Sequence, residues 1–314
     1  MRSVVVTGTS TGIGWGTAKV LVARGFRVFG SVRKKADAER LAAEFGPAFV
    51  PLVFDVTDED AVGLAAARVG DALAGEKLFG LVNNAGIAVA GPLLELSLGD
   101  FRRQIDTNLI GVVIATKAFG PLLGTDRTLK GPPGRIVNIS SVGGKNAVPF
   151  LSPYAASKFA LEGLSEGLRR ELLPFGIDVI VVAPGAVATP IWAKAEQVDI
   201  TPYLDTPYAP ALERMRLMLA LGKEGLPPER IGEAALDVEV MIDVLDVGRG
   251  GDGDGDLWPA VGSFAELLEA DAIAGLRERL KIADDLAPVQ QLIVDTDLVT
   301  EVTVRSGYSA ERGE

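Results

Sequence analysis

The chain has 314 residues, 48% of them hydrophobic and 23% charged, which is enough to bury the core of one or two globular domains and excludes disorder of the whole chain. It contains no cysteine and no histidine, which excludes disulfides, thiolate nucleophiles, zinc sites built on these residues and Ser-His-Asp triads. The net charge of −11 argues against a nucleic-acid partner.

Short β-branched runs alternate with helical patterns through the first 185 residues. The predicted strands, in chain order, are 4–6, 26–32, 49–54, 78–82, 135–139 and 177–183. The predicted helices are 17–25, 37–45, 58–73, 98–122 and 154–173. Apolar strands separated by amphipathic helices are typical of a parallel sheet covered on both faces. The pattern predicts a doubly wound, Rossmann-type α/β fold.

The periodic signal weakens after residue 189. Residues 190–228 are rich in Pro, Tyr and Met and are predicted to form a substrate flap. Pro227-Pro228-Glu229 favours a helix start, although the residues that follow also alternate as in a strand. The Rossmann-type domain is predicted to span 1–245.

Residues 246–314 are predicted to form an acidic C-terminal extension with one helix and a possible strand. The extension begins with a Gly/Asp run over 248–256, which we interpret as a flexible linker. A calcium loop of the EF-hand type would need Gly and Glu where Leu257 and Ser263 stand, so no metal site is predicted.

A glycine-rich loop lies directly between the first strand and the first helix, and it reads TGTSTGIG over residues 7–14. Glycines let the backbone turn and approach a pyrophosphate, whose charge the N-terminus of the helix stabilises. The strand–loop–helix context therefore predicts dinucleotide binding. The predicted contacts in this loop are Gly8, Ser10, Thr11, Gly12, Ile13 and Gly14.

Two further strand ends offer contacts to a dinucleotide. Asp55, followed by Val56, comes after the third strand, where its carboxylate can accept from an adenine amino group. The fourth strand ends in Asn83, Asn84, Ala85 and Gly86, whose small size would let a cofactor lie close.

The end of the second strand distinguishes the two nicotinamide dinucleotides. An acidic residue there would bind the ribose hydroxyls of NAD, whereas this chain has Arg33 and Lys34. Arg33 can pair with a 2′-phosphate through two hydrogen bonds. We therefore predict NADP(H) over NAD(H), with a solvated basic turn as the alternative.

Acid–base chemistry without histidine is offered by Tyr154 and Lys158. Their i,i+4 spacing places them on one face of a helix, where the ammonium is expected to lower the pKa of the tyrosine. Ser141, at the end of the fifth strand, can hydrogen-bond a substrate oxygen. Asn108 lies in the long helix after the fourth strand.

These motifs, in this order, resemble the short-chain dehydrogenase/reductase family in its common Tyr-Lys branch. The matching residues are 7–14, Asp55-Val56, 83–86, Asn108, Ser141, Tyr154, Lys158, Pro184-Gly185 and Thr189. The runs 141–144 and 154–163 resemble the hydroxysteroid and retinol dehydrogenases. The resemblance covers about residues 1–195.

The resemblance implies a role for each catalytic position. Tyr154 would exchange a proton with the substrate oxygen, and Ser141 would polarise that oxygen. Lys158 would lower the pKa of Tyr154 and hold the nicotinamide ribose, and Asn108 would hold a water that links Lys158 to solvent. The further cofactor contacts expected are Pro184, Gly185, Val187 and Thr189.

The leading hypothesis is an NADP(H)-dependent alcohol dehydrogenase or carbonyl reductase. Its pocket would be lined by Val148, Phe150, Leu151, Ile191 and Trp192, which favours an apolar, steroid- or retinol-like substrate. The alternatives are a non-catalytic NADP(H) sensor that engages a partner and, less favoured, an epimerase or dehydratase. We also expect a cytoplasmic homo-oligomer, a dimer or tetramer, with no membrane span.

Overall fold

A computed structural model of the protein describes residues 1–190, 201–212 and 225–236. The six strands are β1 Ser3–Val6, β2 Arg27–Val32, β3 Phe49–Val53, β4 Gly80–Asn83, β5 Arg135–Ile139 and β6 Asp178–Val182. The helices are α1 Gly12–Ala23, α2 Lys35–Phe45, α3 Glu59–Leu73, α4 Leu98–Ile105, α5 Gly111–Gly120 and α6 Ser152–Glu171. Residues 228–236 are also helical, as the Pro227-Pro228-Glu229 signal predicts.

The strands form one parallel sheet in the order β3-β2-β1-β4-β5-β6. The order reverses between β1 and β4, and in open α/β sheets ligands bind outside the carboxyl ends of the strands at such a point. The predicted doubly wound Rossmann-type fold is therefore confirmed. The core lies between the sheet and the helices, around Phe29, Leu81 and Phe119.

Helix α1 begins at Gly12, five residues before the predicted start. The preceding Thr11 is extended, so the helix begins inside the glycine loop itself. Periodicity of apolar residues could not locate this start because Gly12, Gly14 and Gly16 interrupt the apolar pattern at the beginning of the helix. Asp58 caps α3, since its side chain accepts from the Ala61 N–H at 3.0 Å.

The helical segment Leu98–Thr125 runs as α4, a π-helical turn at Asp106–Ile110, α5 and a second π-helical turn at Pro121–Thr125. It is long and apolar enough to cross a membrane by length and composition alone. Its apolar side packs into the core instead, where Phe119 and Leu123 are fully buried. This is the behaviour of a core helix.

The segment 225–236 packs against α1 and the loop after β6. Leu226 donates its N–H to Ala186 O and accepts from Ala188 N, and a Cβ on Gly232 would lie 2.8 Å from Thr17 Cα.

Several predictions lie outside the described residues: the substrate contacts Ile191 and Trp192, the domain boundary at 245 and the whole extension 246–314.

Candidate active site

The site is built at the carboxyl edge of the sheet, where the loops after β1, β4, β5 and β6 meet. A Cβ on Gly8 would lie 2.8 Å from Ala85 Cα, so the loops after β1 and β4 touch. A Cβ on Gly12 would lie 3.3 Å from the Thr189 side chain, which brings in the segment after β6. The tertiary structure thus joins motifs up to 180 residues apart.

The α6 helix supplies Tyr154 and Lys158 from its first two turns. Lys158 Nζ lies 5.8 Å from the centroid of the Tyr154 ring and donates to Ile139 O at 2.7 Å. Ser141 lies two residues after the end of β5 and is extended. It accepts from the Gly143 N–H at 3.0 Å, and its hydroxyl hydrogen-bonds Tyr154. Tyrosine, lysine and serine therefore come together as predicted.

The protonation of this pair differs from the sequence-based expectation. Burial raises the pKa of Tyr154, and the hydrogen bond from Ser141 only partly opposes that rise. Burial also lowers the pKa of Lys158 to about 8, against a smaller opposing effect of the Glu162 carboxylate. The expected lowering of the Tyr154 pKa is therefore wrong for the free protein, because desolvation of the phenolate outweighs the hydrogen bond from Ser141.

Asn108 lies in the π-helical turn after α4, and its side chain does not reach Lys158. Its Oδ1 accepts from the Ile87 N–H at 2.9 Å, and its Nδ2 donates to Ile87 O at 3.0 Å and to Ser157 Oγ at 3.2 Å. The side chain thus anchors the loop after β4. Its predicted role in holding a water that links Lys158 to solvent stays a prediction.

Two residues that the sequence analysis missed complete this anchor. Gln104, one turn before Asn108 and fully buried, accepts from the Val89 N–H at 2.7 Å and donates to Ile87 O at 2.9 Å. Ser157 Oγ donates to Tyr154 O at 2.7 Å and accepts from Asn108. The i,i+4 spacing of two amide side chains on one helix was the available signal.

The N-terminus of α1 has its first amides free of protein partners among the described residues. Thr11 makes no side-chain cap, and no acidic residue stands in the first turn. Such a terminus carries partial positive charge and is suited to a phosphate. The glycine loop is held from behind by Asn84, whose Nδ2 donates to Thr7 O at 2.8 Å and Gly8 O at 3.1 Å.

Two predicted cofactor residues, Arg33 and Asp55, contact each other. Arg33 lies 3.9 Å from Asp55 Oδ2, with 70% and 43% of the two side chains exposed, and Asp55 Oδ1 accepts from Thr57. An exposed pair of this length is weak, so Arg33 can turn to another anion. Arg40, which sequence reasoning missed, donates to Ser10 O at 2.6 Å and ties α2 to the glycine loop.

Four predicted contacts have side chains that are buried in the fold. Asn83 Nδ2 donates to Asn138 Oδ1 at 2.9 Å, below the site. Val56 packs against Gly111, and Val187 bridges to Leu226. Pro184 is buried, and its carbonyl accepts from the Val142 N–H. These four residues position the loops, and only their backbones can face a ligand.

The predicted substrate side centres on Phe150. Its φ of +66° is unusual for a bulky residue, and its carbonyl accepts from the Gly91 N–H at 2.8 Å. Its ring meets Tyr208 edge-on, with centroids 6.0 Å apart. Val148 and Leu151 are half-buried beside it. Phe150 therefore connects three segments. It hydrogen-bonds the loop after β4 through Gly91, and its ring contacts the segment 201–212 through Tyr208.

Gly14→Ala tests how tightly the glycine loop is packed. The added Cβ would overlap Gly8 O and Asn84 Nδ2, so we expect a destabilised loop and loss of dinucleotide binding. Gly63→Ala in α3 is the control, because nothing lies within 4 Å of its Cβ. That variant should gain about 0.5–1 kcal/mol in the free energy of unfolding. Equal effects of both variants on dinucleotide binding, measured by calorimetry, would contradict this packing.

The pattern of the short chain dehydrogenase family matches residues 2–199, well over half of the chain. The chain belongs to this family. An NADPH-dependent 3-dehydrocapnine reductase from Ornithobacterium rhinotracheale is 37% identical over 241 residues, which cover 76% of this chain and 84% of that protein. Human retinol dehydrogenase 5 is 39% identical over 189 residues, which cover 60% of this chain and 57% of that protein.

Solved structures agree with this assignment. The closed form of a serine dehydrogenase complexed with NADP⁺ superposes with a TM-score of 0.62 at 25% identity, and the match covers 76% of this chain and 89% of that one. This short-chain dehydrogenase is therefore an NAD(P)-dependent alcohol or carbonyl oxidoreductase. The relatives named as reductases and dehydrogenases give no support to a non-catalytic sensor.

Proposed function

We propose that this short-chain dehydrogenase transfers a hydride between NADP(H) and an apolar alcohol or ketone, with Tyr154 as the general acid–base. The observation that carries the proposal is the grouping of Tyr154, Ser141 and Lys158 at the carboxyl edge of the sheet. The Ser141 hydroxyl hydrogen-bonds Tyr154, and Lys158 Nζ lies 5.8 Å from the centroid of the Tyr154 ring. No other described part of the chain combines a hydroxyl pair with a buried amine.

The residues present fit a nicotinamide dinucleotide. The α1 amides are open to a pyrophosphate, and in the described chain the Lys158 ammonium has one acceptor, Ile139 O, for its three donor hydrogens. The remaining two can bind ribose hydroxyls. When bound, the cofactor supplies the hydride, and the protein supplies position and electrostatics. Thr189, which packs against Gly12, would contact the nicotinamide end.

The proton path runs through Tyr154. In reduction its hydroxyl donates to the substrate carbonyl oxygen, and the Ser141 hydroxyl donates a second hydrogen bond that stabilises the developing charge. The raised pKa of Tyr154 keeps this acid protonated near neutral pH. The Lys158 ammonium then stabilises the phenolate left behind. In oxidation the same groups act in reverse.

The preference for NADP(H) rests on Arg33. Its guanidinium is 70% exposed at the end of β2 and holds Asp55 only at 3.9 Å, so it is free to pair with a 2′-phosphate. Lys34 adds a second exposed charge beside it. The names of two similar proteins, one NADPH-dependent and one complexed with NADP⁺, support this preference.

An apolar substrate is favoured by the aromatic contact of Phe150 and Tyr208 and by the similarity to a retinol dehydrogenase. The cytoplasmic location, the oligomeric state and the domain limits 1–245 and 246–314 stay predictions.

Calorimetric titration with NADPH and with NADH, followed by assays of apolar ketones, tests the proposal. We expect tighter binding of NADPH and reduction of at least one ketone. Tighter binding of NADH would contradict the preference for NADP(H) but would be consistent with the proposed reductase activity. Binding of both cofactors without turnover of any ketone or alcohol would contradict the proposed hydride transfer.

Arg33→Ser should weaken NADPH binding by about 10- to 100-fold and leave NADH binding unchanged, because a charge-assisted hydrogen-bond pair contributes about 1.5–3 kcal/mol. Lys35→Ser is the control. Its ammonium is exposed and lies 3.9 Å from Glu39 along α2. The dissociation constants of NADPH and NADH are measured by the same calorimetry. A parallel loss of NADH affinity in Arg33→Ser would mean that Arg33 stabilises the loop after β2 rather than binding the 2′-phosphate.

A further inference from the structure

The face of α6 that carries Tyr154 and Lys158 continues one turn further to Glu162. The three residues follow at i, i+4 and i+8, so their side chains are neighbours along one side of the helix. Glu162 is mostly buried, with 17% of its side chain exposed. Its position places a carboxylate next to the amine of the proposed catalytic pair.

Glu162 is itself bound by a second lysine. Lys145 Nζ lies 2.9 Å from Glu162 Oε2, and 45% of the Lys145 side chain is exposed. The other oxygen, Glu162 Oε1, is buried and has no hydrogen-bond partner among the described residues. Within the described chain, only the Oε2 atom of this carboxylate is therefore paired.

The loop that carries Lys145 is fixed against the helix. A Cβ on Gly144 would lie 3.2 Å from the Lys158 carbonyl and 3.0 Å from Ser140 Oγ. The Val142–Gly144 turn therefore packs directly on the helix turn of Lys158. Lys145 is held near Glu162 by this packing as well as by the ion pair.

Few other charges reach Lys158. Its hydrogen-bond acceptor, Ile139 O, is neutral. On the elements that pack against α6, Asp100 is paired with Arg103, and Arg102, Asp106 and Asp178 are exposed. Within the described chain, Glu162 is the charged side chain that acts on Lys158.

We propose that Glu162 and Lys145 form a charge pair that sets the protonation of Lys158, and with it the pH range in which the Tyr154–Lys158 pair works. Glu162 is a positioning residue, since it acts through Lys158. The inference deepens the proposed function and rests on it for its kinetic consequence. The protonation of Lys158 itself can be measured without turnover.

The protonation of Lys158 depends on two opposing effects on its pKa, one from burial and one from neighbouring charges. Burial brings the pKa of Lys158 down to about 8, and the Glu162 carboxylate raises it. The salt bridge from Lys145 offsets part of the negative charge of Glu162. Removing Glu162 should therefore lower the pKa of Lys158, whereas removing Lys145 should raise it.

The kinetic test follows the alkaline limb of the pH profile of kcat for the reduction of acetophenone, or another apolar ketone that the wild type reduces. Glu162→Gln should move this limb to lower pH by about 0.5–1 unit, the size expected of a unit charge at this spacing in a partly buried site. Lys145→Met should move it to higher pH. Glu166→Gln is the matched control, because it removes the same charge one turn further, where Glu166 pairs with Arg169 and Arg170.

The second test is NMR titration of lysine labelled with ¹³C at the ε position, with the Lys158 signal assigned by its loss in Lys158→Met. The same opposite displacements are expected without cofactor or substrate. Displacements in the same direction, or an equal effect of Glu162→Gln and Glu166→Gln, would overturn the inference. Displacements as expected in a protein that reduces no ketone would retain the charge pair and overturn the proposed function.

Discussion

Tyr154→Phe is expected to lower the rate of ketone reduction by about 10²- to 10⁴-fold, the contribution of a general acid. The variant keeps the aromatic ring, which lies 5.8 Å from Lys158 Nζ, and removes only the hydroxyl that hydrogen-bonds Ser141. NADPH affinity should therefore change little. Steady-state kinetics with calorimetric titration of NADPH measures both quantities.

The control for this variant is Tyr208→Phe. Its ring packs on Phe150 at the predicted substrate side, so the loss of its hydroxyl can change KM. It removes no group that transfers the proton, and kcat should therefore fall far less than in Tyr154→Phe. If Tyr154→Phe kept most of the wild-type kcat, the proton would have to come from another group and the assigned role would be wrong. A loss of NADPH binding in Tyr154→Phe would instead indicate a damaged site.

Lys158→Met is expected to have opposite effects on activity and stability. Loss of the ammonium should lower kcat by about 10²-fold or more, as for other groups that stabilise developing charge. The same substitution should stabilise the fold at pH 7. A buried ammonium is costly, and the difference between the ordinary pKa of 10.5 and about 8 in the folded protein corresponds to roughly 3 kcal/mol.

The stability gain has a defined pH dependence. Because the folded-state pKa of Lys158 lies below its unfolded value, the unfolded chain binds the extra proton between these two values. The wild-type free energy of unfolding therefore gains a contribution that rises with pH above about 8. Below pH 8 both states carry the proton, and the full cost of the buried charge is present. The advantage of Lys158→Met should shrink as the pH rises from 8 to 10.

Urea unfolding of both proteins at several pH values measures this trend. Lys117→Met, which removes an exposed charge from α5, should not change the free energy of unfolding appreciably. If Lys158→Met were less stable than the wild type at every pH, the hydrogen bond to Ile139 O would outweigh the desolvation of the ammonium.

The sequence alone determined the sheet, the glycine loop and the Tyr154–Lys158 spacing. Each depends on short-range geometry: buried parallel strands are apolar throughout, a loop that turns tightly into a helix needs glycine, and residues four apart share a helix face. The β5 strand matches its predicted bounds, Arg135–Ile139, and all five of its residues are buried.

Only the tertiary structure decided which polar groups meet and what their burial does to them. Gln104 and Asn108 lie along one helix, but their partners Ile87, Val89 and Ser157 come from two other elements. Arg33 meets Asp55 because β2 and β3 end side by side. The raised pKa of Tyr154 also depends on the tertiary structure. Desolvation depends on every atom packed around a group, and a local pattern of residues does not encode it.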